Sequence, residues 1–327
     1  MVEGQGMLIV STTALGFQGD DFIRDGVRQL IAPKLEQGEL WVNRFGCRLP
    51  DGTHSSHWRL VRNMPSIDEC MSECTAFVMA GTPGWGKPEI AWYDAAVRHG
   101  KPIWLIGIGG SGKWPEGELA PYANAVAVAT VRDDTAHKAL DRAGIPHRRF
   151  IDPAFHAPYM KIVHTHDKRF DTVLTYKAAT KQDDAEEHRA AYRALYERFR
   201  ERIACVLVHE CGEIVEAHQL FGVRPFFSSE PRRYVDIYAQ AQHYIGGRFH
   251  GAVATIATGG EAHVLYSKQN HKTEGLSERW MAVRCYAHAE HEKVAFGLYR
   301  PTPMNLQQFL EREFVGHAAY VRGCMNG

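Results

Sequence analysis

The sequence predicts an α/β protein built from two doubly wound parallel-sheet units. Short apolar runs rich in Val and Ile recur along the chain, and stretches with apolar residues at helical spacing separate them. Several of these runs end in Gly or Pro clusters, which is typical of strands at the ligand-binding edge of an open α/β sheet.

The first unit is predicted to alternate strands and helices. Its predicted strands are Met7–Thr12, Glu39–Val42, Ala76–Ala80, Pro102–Ile108, Ala125–Thr130 and Arg148–Ile151. Its predicted helices lie near Asp20–Lys34, Pro88–His99 and Asp133–Ala143. The segment Asp152–Asp171 has no clear period, so it is interpreted as a linker.

The second unit repeats the alternation. Its predicted strands are Thr172–Tyr176, Cys205–Val208, Arg224–Phe226, His243–Ile245 and Ala262–Tyr266. Its predicted helices are Asp183–Arg202, Ile214–Phe221, Tyr234–Gln240 and His250–Thr258. The predicted domains are therefore residues 1–155 and 156–327.

Composition excludes several classes of protein. The 327 residues include 38 Lys plus Arg and 38 Asp plus Glu, so no net charge attracts the chain to nucleic acid. The longest apolar runs are far shorter than the roughly 20 residues of a membrane helix, and Met7–Val10 is too short for a signal peptide. We therefore expect a cytoplasmic protein whose seven cysteines are reduced thiols, and a homo-oligomer is compatible with the sequence.

The most informative segment runs from Tyr244 to Gly260. A strand leads into Gly246 and Gly247, after which Arg248 and His250 fall at the start of an apolar helix. Free N–H groups and the helix dipole favour an anion there, and the guanidinium adds a fork for phosphate or carboxylate. A surface Arg beside a capping His is the alternative interpretation.

Lys272 follows the next predicted strand and could reach the same anion. Gly-rich turns at 81–86 and 107–112 follow two strands of the first unit, where the cleft is expected. The second of these turns imitates a P-loop, but Trp114 stands where Ser or Thr should bind magnesium. We interpret it as a tight turn that lines the cleft.

The order of these motifs resembles the polysaccharide pyruvyl transferase family. The matching segments, in chain order, are Gly19-Asp20-Asp21, the two Gly-rich turns, Arg132-Asp133, Gly144-Ile145, Asp152-Pro153-Ala154, Arg248-Phe249-His250 and Lys272-Thr273-Glu274-Gly275. The resemblance implies a glycosyltransferase-B-type arrangement with a cleft between the two domains. It also implies transfer of the enolpyruvyl unit of phosphoenolpyruvate to a sugar-type acceptor as a pyruvate ketal, with no cofactor and no metal.

The resemblance implies residue roles as well. His250 would be the general acid, and the base would be Asp20, Asp21 or Glu274. Donor binding would involve Arg132, Arg248, Lys272, Lys268, Gly109 and Gly110. Lys268 is included because the loop before Lys272 is about three residues longer than is usual in the family.

Two other functions remain open at this stage. One is a sugar-nucleotide-dependent glycosyltransferase of the same architecture, in which Arg248 and Lys272 would hold a pyrophosphate. The other is a non-catalytic ligand sensor or assembly subunit. A metal site at His288 and His291 is also considered, but solvated histidines are the expected state, because no zinc-binding spacing is present.

Overall fold

The computed structural model describes residues 7–9, 18–31, 39–41, 68, 71–72, 74–81, 87–110, 119–158, 168–179, 184–266, 283–297 and 303–326. Statements below concern these residues. No side chain is described for 7–9, 18–20, 39–41 or 87–89, nor for several positions of 303–326. Among the described helices, none combines the length and the apolar content needed to cross a membrane.

The first half forms a six-stranded parallel sheet. Its strands are β1 (Met7–Ile9), β2 (Glu39–Trp41), β3 (Phe77–Ala80), β4 (Ile103–Ile108), β5 (Val126–Val131) and β6 (Arg148–Arg149), in the order β2-β1-β3-β4-β5-β6. Its helices are α1 (Gln18–Ile31), α2 (Lys87–Arg98) and α3 (Asp134–Arg142). Strands β3 and β4 are buried along their whole length, as expected for central strands of a parallel sheet.

The second half forms a five-stranded parallel sheet. Its strands are β7 (Phe170–Tyr176), β8 (Ile203–Val208), β9 (Ala241–Gly246), β10 (Glu261–Tyr266) and β11 (Val283–Ala287), in the order β11-β10-β9-β7-β8. Its helices are α4 (Ala185–Phe199), α5 (Ile214–Phe221), α6 (Pro231–Gln240) and α7 (Phe249–Ala257). The predicted class, two parallel-sheet α/β units, is confirmed.

The last described helix, α8 (Pro303–Asn326), returns to the first sheet. His317 of this helix is fully buried and lies 3.2 Å from the hydroxyl of Thr130 on β5. Its ring also stacks on Phe150, with 4.6 Å between ring centroids. The predicted domain boundary at residue 155 falls between the two sheets in the sequence and stays a prediction. The helices that cover the first sheet, however, include α8, which comes after the second sheet in the chain.

Two local expectations are wrong. Arg224–Phe226 is not a strand, since only Phe226 forms a bridge, to Leu207, and Pro225 has no N–H to extend a ladder. The start of the predicted linker is core: Pro153–His156 is a buried 3-10 turn. Its backbone lies so close to α1 that a Cβ on Gly26 would overlap the carbonyl of Pro153.

A single cluster of buried side chains continues through both halves. It includes Phe22 of α1, Phe155 of the 3-10 turn, Tyr238 of α6, Val253 of α7 and Val321 of α8. The two sheets therefore contribute to one shared hydrophobic core.

Candidate active site

Three chain segments meet around the carboxylate of Asp152. Oδ2 of Asp152 forms an ion pair with Nη1 of Arg132, which follows β5, and lies 3.7 Å from Nε2 of His250 at the start of α7. Oδ1 accepts the backbone N–H of Ala154 at 2.8 Å. The sequence-predicted residues Arg132 and His250 are thus brought together across the two halves, by an Asp to which the sequence assigned no role.

The environment of Asp152 keeps it ionised. Burial acts to raise the pKa of this carboxyl, but the positive charge of Arg132 and the contact with His250 hold the pKa well below its usual range. The side chain is 2% exposed, so the negative charge is buried. The buried carboxylate therefore needs a positive charge beside it, which Arg132 supplies.

The guanidinium of Arg132 is held in place from several sides. It lies 5.2 Å from the ring centroid of Phe249, the residue between Arg248 and His250. It also packs against Gly109, where a Cβ would overlap its Nε. Glycine at 109 therefore makes room for Arg132.

Both predicted donor-binding glycines use their amides within the protein. Gly109 donates to the carbonyl of Gly81 at 3.0 Å, and Gly110 donates to the carboxylate of Asp133 at 2.9 Å. Asp133 also caps α3 by accepting the N–H of Ala136. The turn thus connects the end of β4 to the helix that follows Arg132, and a donor contact at these glycines stays a prediction.

Arg248 has two acidic partners. Its Nη2 lies 2.5 Å from Oε1 of Glu210 and pairs with Oε1 of Glu213. Burial acts to lower the pKa of Arg248, yet the two glutamates raise it further above its ordinary value. The cationic charge predicted for the α7 N-terminus is therefore largely compensated within the chain, and its role in donor binding stays a prediction.

Glu213 itself is buried beneath this site. Burial raises its pKa, although the charge of Arg248 opposes that rise. Its carboxylate also accepts the backbone N–H of Ala178 at 2.9 Å and of His209 at 3.3 Å. It therefore joins the ends of β7 and β8 to the start of α7.

His250 lies in a partly apolar corner. Its side chain is 12% exposed, and Phe22 of α1 packs edge-on against the ring at 6.4 Å. Nε2 has no hydrogen-bond partner among the described residues, so its 3.7 Å contact with Asp152 lacks hydrogen-bond geometry. His209 also lies edge-on to Phe22, and its Nε2 is 2.6 Å from the hydroxyl of Tyr238. Burial lowers the pKa of His209 well below the ordinary value.

The remaining predicted residues are only partly described. Asp21 is buried and lies 2.5 Å from Nη1 of Arg24. Asp20 lies in α1, but its side chain is not described. Lys268, Lys272 and Glu274 fall outside the described residues, so their roles stay predictions.

The sequence analysis did not assign roles to Asp152, Glu213 or Phe22. A signal existed for the first of them, since Asp152 precedes Pro153 and Ala154 in one of the matching motifs. Glu213 follows the end of β8, at the same edge of the sheet as Arg248. Phe22 carries no chemical signal, and its position next to His250 depends on the packing of α1.

Several solved structures have the same architecture at low sequence identity. They include S. aureus MnaA with UDP (TM-score 0.57, 10% identity, 98% of this chain and 97% of that chain covered). An E. coli structure described as trehalose-6-phosphate bound with UDP-2-fluoro glucose has a TM-score of 0.53 at 9% identity, with 98% of each chain covered. The α,α-trehalose 6-phosphate synthase of Burkholderia multivorans has a TM-score of 0.52 at 11% identity, with 98% of this chain and 99% of that chain covered.

At these identities the likeness concerns the fold alone, which is the glycosyltransferase-B-type arrangement of two parallel-sheet domains. No curated protein matches the chain significantly. A family model described as "Polysaccharide pyruvyl transferase" matches residues 19–269, which include the described motifs around Arg132, Asp152 and His250. The chain therefore belongs to the polysaccharide pyruvyl transferase family.

Proposed function

We propose that the protein transfers the enolpyruvyl unit of phosphoenolpyruvate to a sugar-type acceptor and forms a pyruvate ketal. The observation that carries this proposal is the meeting of three motifs of the family around Asp152, with Arg132 and His250 as its neighbours. Family membership supports a transferase that modifies polysaccharide. The proposed reaction requires no cofactor.

The donor carries a phosphate and a carboxylate, so its site needs several cations. Arg132 supplies one at the end of β5, and Arg248 supplies another at the start of α7, each beside its own acidic partner. Because these partners compensate much of that charge, Lys272, with Lys268 as its competitor, would supply the uncompensated positive charge. Donor binding is thus expected to depend on the lysine loop as well as on the two arginines.

His250 would act as the general acid. Its proton would pass to the methylene carbon of the donor, and the acceptor hydroxyl would attack the adjacent oxocarbenium-like carbon. The hydroxyl proton would pass to a base, for which Asp20, Asp21 and Glu274 are the candidates. A second hydroxyl of the acceptor would then displace the phosphate, which leaves as inorganic phosphate with the proton of that hydroxyl, and the ketal is closed. The carboxylate of Asp152, 3.7 Å from Nε2, would stabilise the charged imidazolium before transfer.

Thermal unfolding with millimolar phosphoenolpyruvate, UDP-sugar or GDP-sugar tests this proposal, because a ligand that binds the native state raises the melting temperature. We expect a rise with phosphoenolpyruvate that is reduced in Arg132→Lys and in Lys272→Ala. A rise only with a nucleotide sugar would replace the proposal by a glycosyltransferase. Binding of phosphoenolpyruvate without phosphate release in the presence of any screened sugar would favour a ligand sensor.

A further inference from the structure

A second cluster of chemically active side chains lies at the opposite edge of the second sheet. His243 is near the start of β9, and Glu261 and His263 are at the start of β10. Glu261 is the register partner of His243, and His263 stands two residues further along, on the same face as Glu261. All three side chains are buried, with residue exposures of 6%, 5% and 0%.

The three side chains have the spacing of metal ligands. Nδ1 of His243 lies 3.3 Å from Oε2 of Glu261, and Nε2 of His263 lies 3.4 Å from Oε1. The ligand atoms of all three lie within 4.8 Å of one another. Ligands bound at about 2.1 Å around a tetrahedral ion stand about 3.4 Å apart, so a small cation fits between them.

Hydrogen bonding does not account for the cluster. Among the described residues, Nδ1 of His243, Oε1 of Glu261 and Nε2 of His263 have no hydrogen-bond partner, although all three atoms are buried. Buried polar atoms are nearly always paired, because an unpaired one loses its hydrogen bonds to water without replacement. The contacts within the cluster have the distances of ion pairs but lack hydrogen-bond angles, and a bound cation would satisfy all three atoms at once.

The outer atoms of the cluster do have partners. Nε2 of His243 lies 3.9 Å from Asp171, whose carboxylate is held by Arg202 at 2.8 Å. Nδ1 of His263 lies 3.4 Å from the hydroxyl of Tyr286. Polar partners on the outer nitrogen are typical of metal-binding histidines, because they orient the ring towards the ion.

The remaining sides of the cluster are enclosed. Phe296 stacks on the ring of His243 at 4.4 Å and lies edge-on to His263 at 5.2 Å. The backbone N–H of Gly297 donates to Oε2 of Glu261 at 3.1 Å. An ion here would be screened from solvent by the segment that follows β11.

We propose that His243, Glu261 and His263 bind one divalent transition-metal ion of the zinc type. Two imidazoles and one carboxylate form a ligand set that suits such an ion, and a water molecule would complete the tetrahedron. The site lies at the amino end of β9, whereas His250 follows the carboxyl end of the same strand. The ion therefore links β9 to β10 and takes no part in group transfer, so this inference does not depend on the proposed donor.

The chain offers a matched control. His137, Asp141 and His147 form another His-Asp-His group, but Asp141 is exposed. The two histidine rings of this group already contact each other, with 2.6 Å between Nδ1 of His137 and Nε2 of His147. We expect His137→Gln to leave metal binding unchanged.

The test uses the full chain without an affinity tag, stripped with a chelator and titrated with Co²⁺ and then Zn²⁺. We expect about one ion per chain, visible d–d bands of a four-coordinate Co²⁺ site that Zn²⁺ abolishes, and a higher melting temperature with the ion. Glu261→Gln keeps the side-chain shape but should weaken binding roughly 10- to 100-fold, and His243→Ala and His263→Ala should remove the Co²⁺ bands.

Far-UV circular dichroism identifies variants that do not fold. If the histidine variants do not fold, the Co²⁺ affinity of Glu261→Gln tests the proposal. Absence of stoichiometric metal in the wild-type chain would overturn the proposal. Equal Co²⁺ affinity in the wild type and a folded Glu261→Gln variant would overturn it as well. Unfolding on chelation that Zn²⁺ reverses would support it.

Discussion

Nε2 of His250 lies 3.7 Å from Oδ2 of Asp152, although 98 positions separate the two residues in sequence. One residue begins a helix of the second half, and the other caps the turn that leaves the first half. Because Asp152 also pairs with Arg132, one buried carboxylate sets the position of His250, the candidate proton donor, relative to Arg132, the candidate anion-binding residue.

Replacement of His250 by Gln should reduce kcat by roughly 10²- to 10⁴-fold, because general acid–base catalysis contributes that much. The melting-temperature shift produced by phosphoenolpyruvate should remain, since Arg132 and the lysine loop are unchanged. Single-turnover release of inorganic phosphate measures the effect. The exposed His218→Gln variant is the control, and normal turnover in His250→Gln would exclude the assigned role.

Replacement of Arg132 by Lys should keep the positive charge near Asp152 but remove the planar fork that binds an anion with two parallel hydrogen bonds. We expect the Kd for phosphoenolpyruvate to rise about tenfold, which corresponds to about 1.4 kcal/mol. Isothermal titration calorimetry measures the change. The exposed Arg142→Lys variant should bind as the wild type does, and equal affinity in both variants would show that Arg132 does not contact the donor.

Two glycine substitutions should change stability in opposite directions. In Gly26→Ala the new Cβ would overlap the carbonyl of Pro153, so we expect a loss of about 1–3 kcal/mol in the free energy of unfolding. In Gly323→Ala no described atom is close to the new Cβ, and α8 should gain about 0.5–1 kcal/mol. Urea unfolding of both variants and of the wild type measures these changes in the free energy of unfolding. An unchanged free energy of unfolding in Gly26→Ala would mean that α1 can move away from the 3-10 turn without loss of stability.

Stability should fall as the solution becomes acidic, partly because of His317. Burial lowers the pKa of this imidazole to about 3, whereas the unfolded chain binds the proton near pH 6.5. Below pH 6.5 the unfolded state therefore binds a proton that the folded state does not bind. Because of this group, the free energy of unfolding falls by up to about 1.4 kcal/mol for each pH unit.

Urea unfolding between pH 7 and pH 5 measures the slope for the wild type and for His317→Gln. The variant should show a shallower dependence of the free energy of unfolding on pH, whatever its stability at pH 7. His218→Gln should keep the wild-type slope, because His218 is exposed. Equal slopes in the wild type and His317→Gln would show that His317 titrates alike in both states.

Most strands and helices of the fold can be predicted from the local pattern of apolar residues in the sequence. Central strands such as β3 and β4 are continuous apolar runs, because parallel strands are buried on both faces. Strand β11 was not predicted, since it pairs on one side only and three of its five residues are only half-buried. Helix α8 was not predicted either, because one of its fully buried residues is His317, which reads as polar in the sequence.

The candidate site was predictable in its parts but not in its pairings. Helix starts following strands put Arg132 and His250 at the carboxyl edges of their sheets, and the family resemblance pointed to the same residues. The sequence could not show that both approach Asp152, because that contact depends on how the two sheets face each other. Nor could it show that Arg248 is already paired with Glu210 and Glu213.

The return of α8 to the first sheet has a consequence for protein synthesis. Val321 belongs to the same buried cluster as Phe22 and Val78, and His317 contacts Thr130, so the first half shares its interior with residues made nearly 200 positions later. A ribosome that has produced only the first half has not yet supplied the helix that covers it. The emerging first half therefore leaves apolar surface open to chaperones until residue 326 has left the exit tunnel, although most domains complete their folding as they emerge.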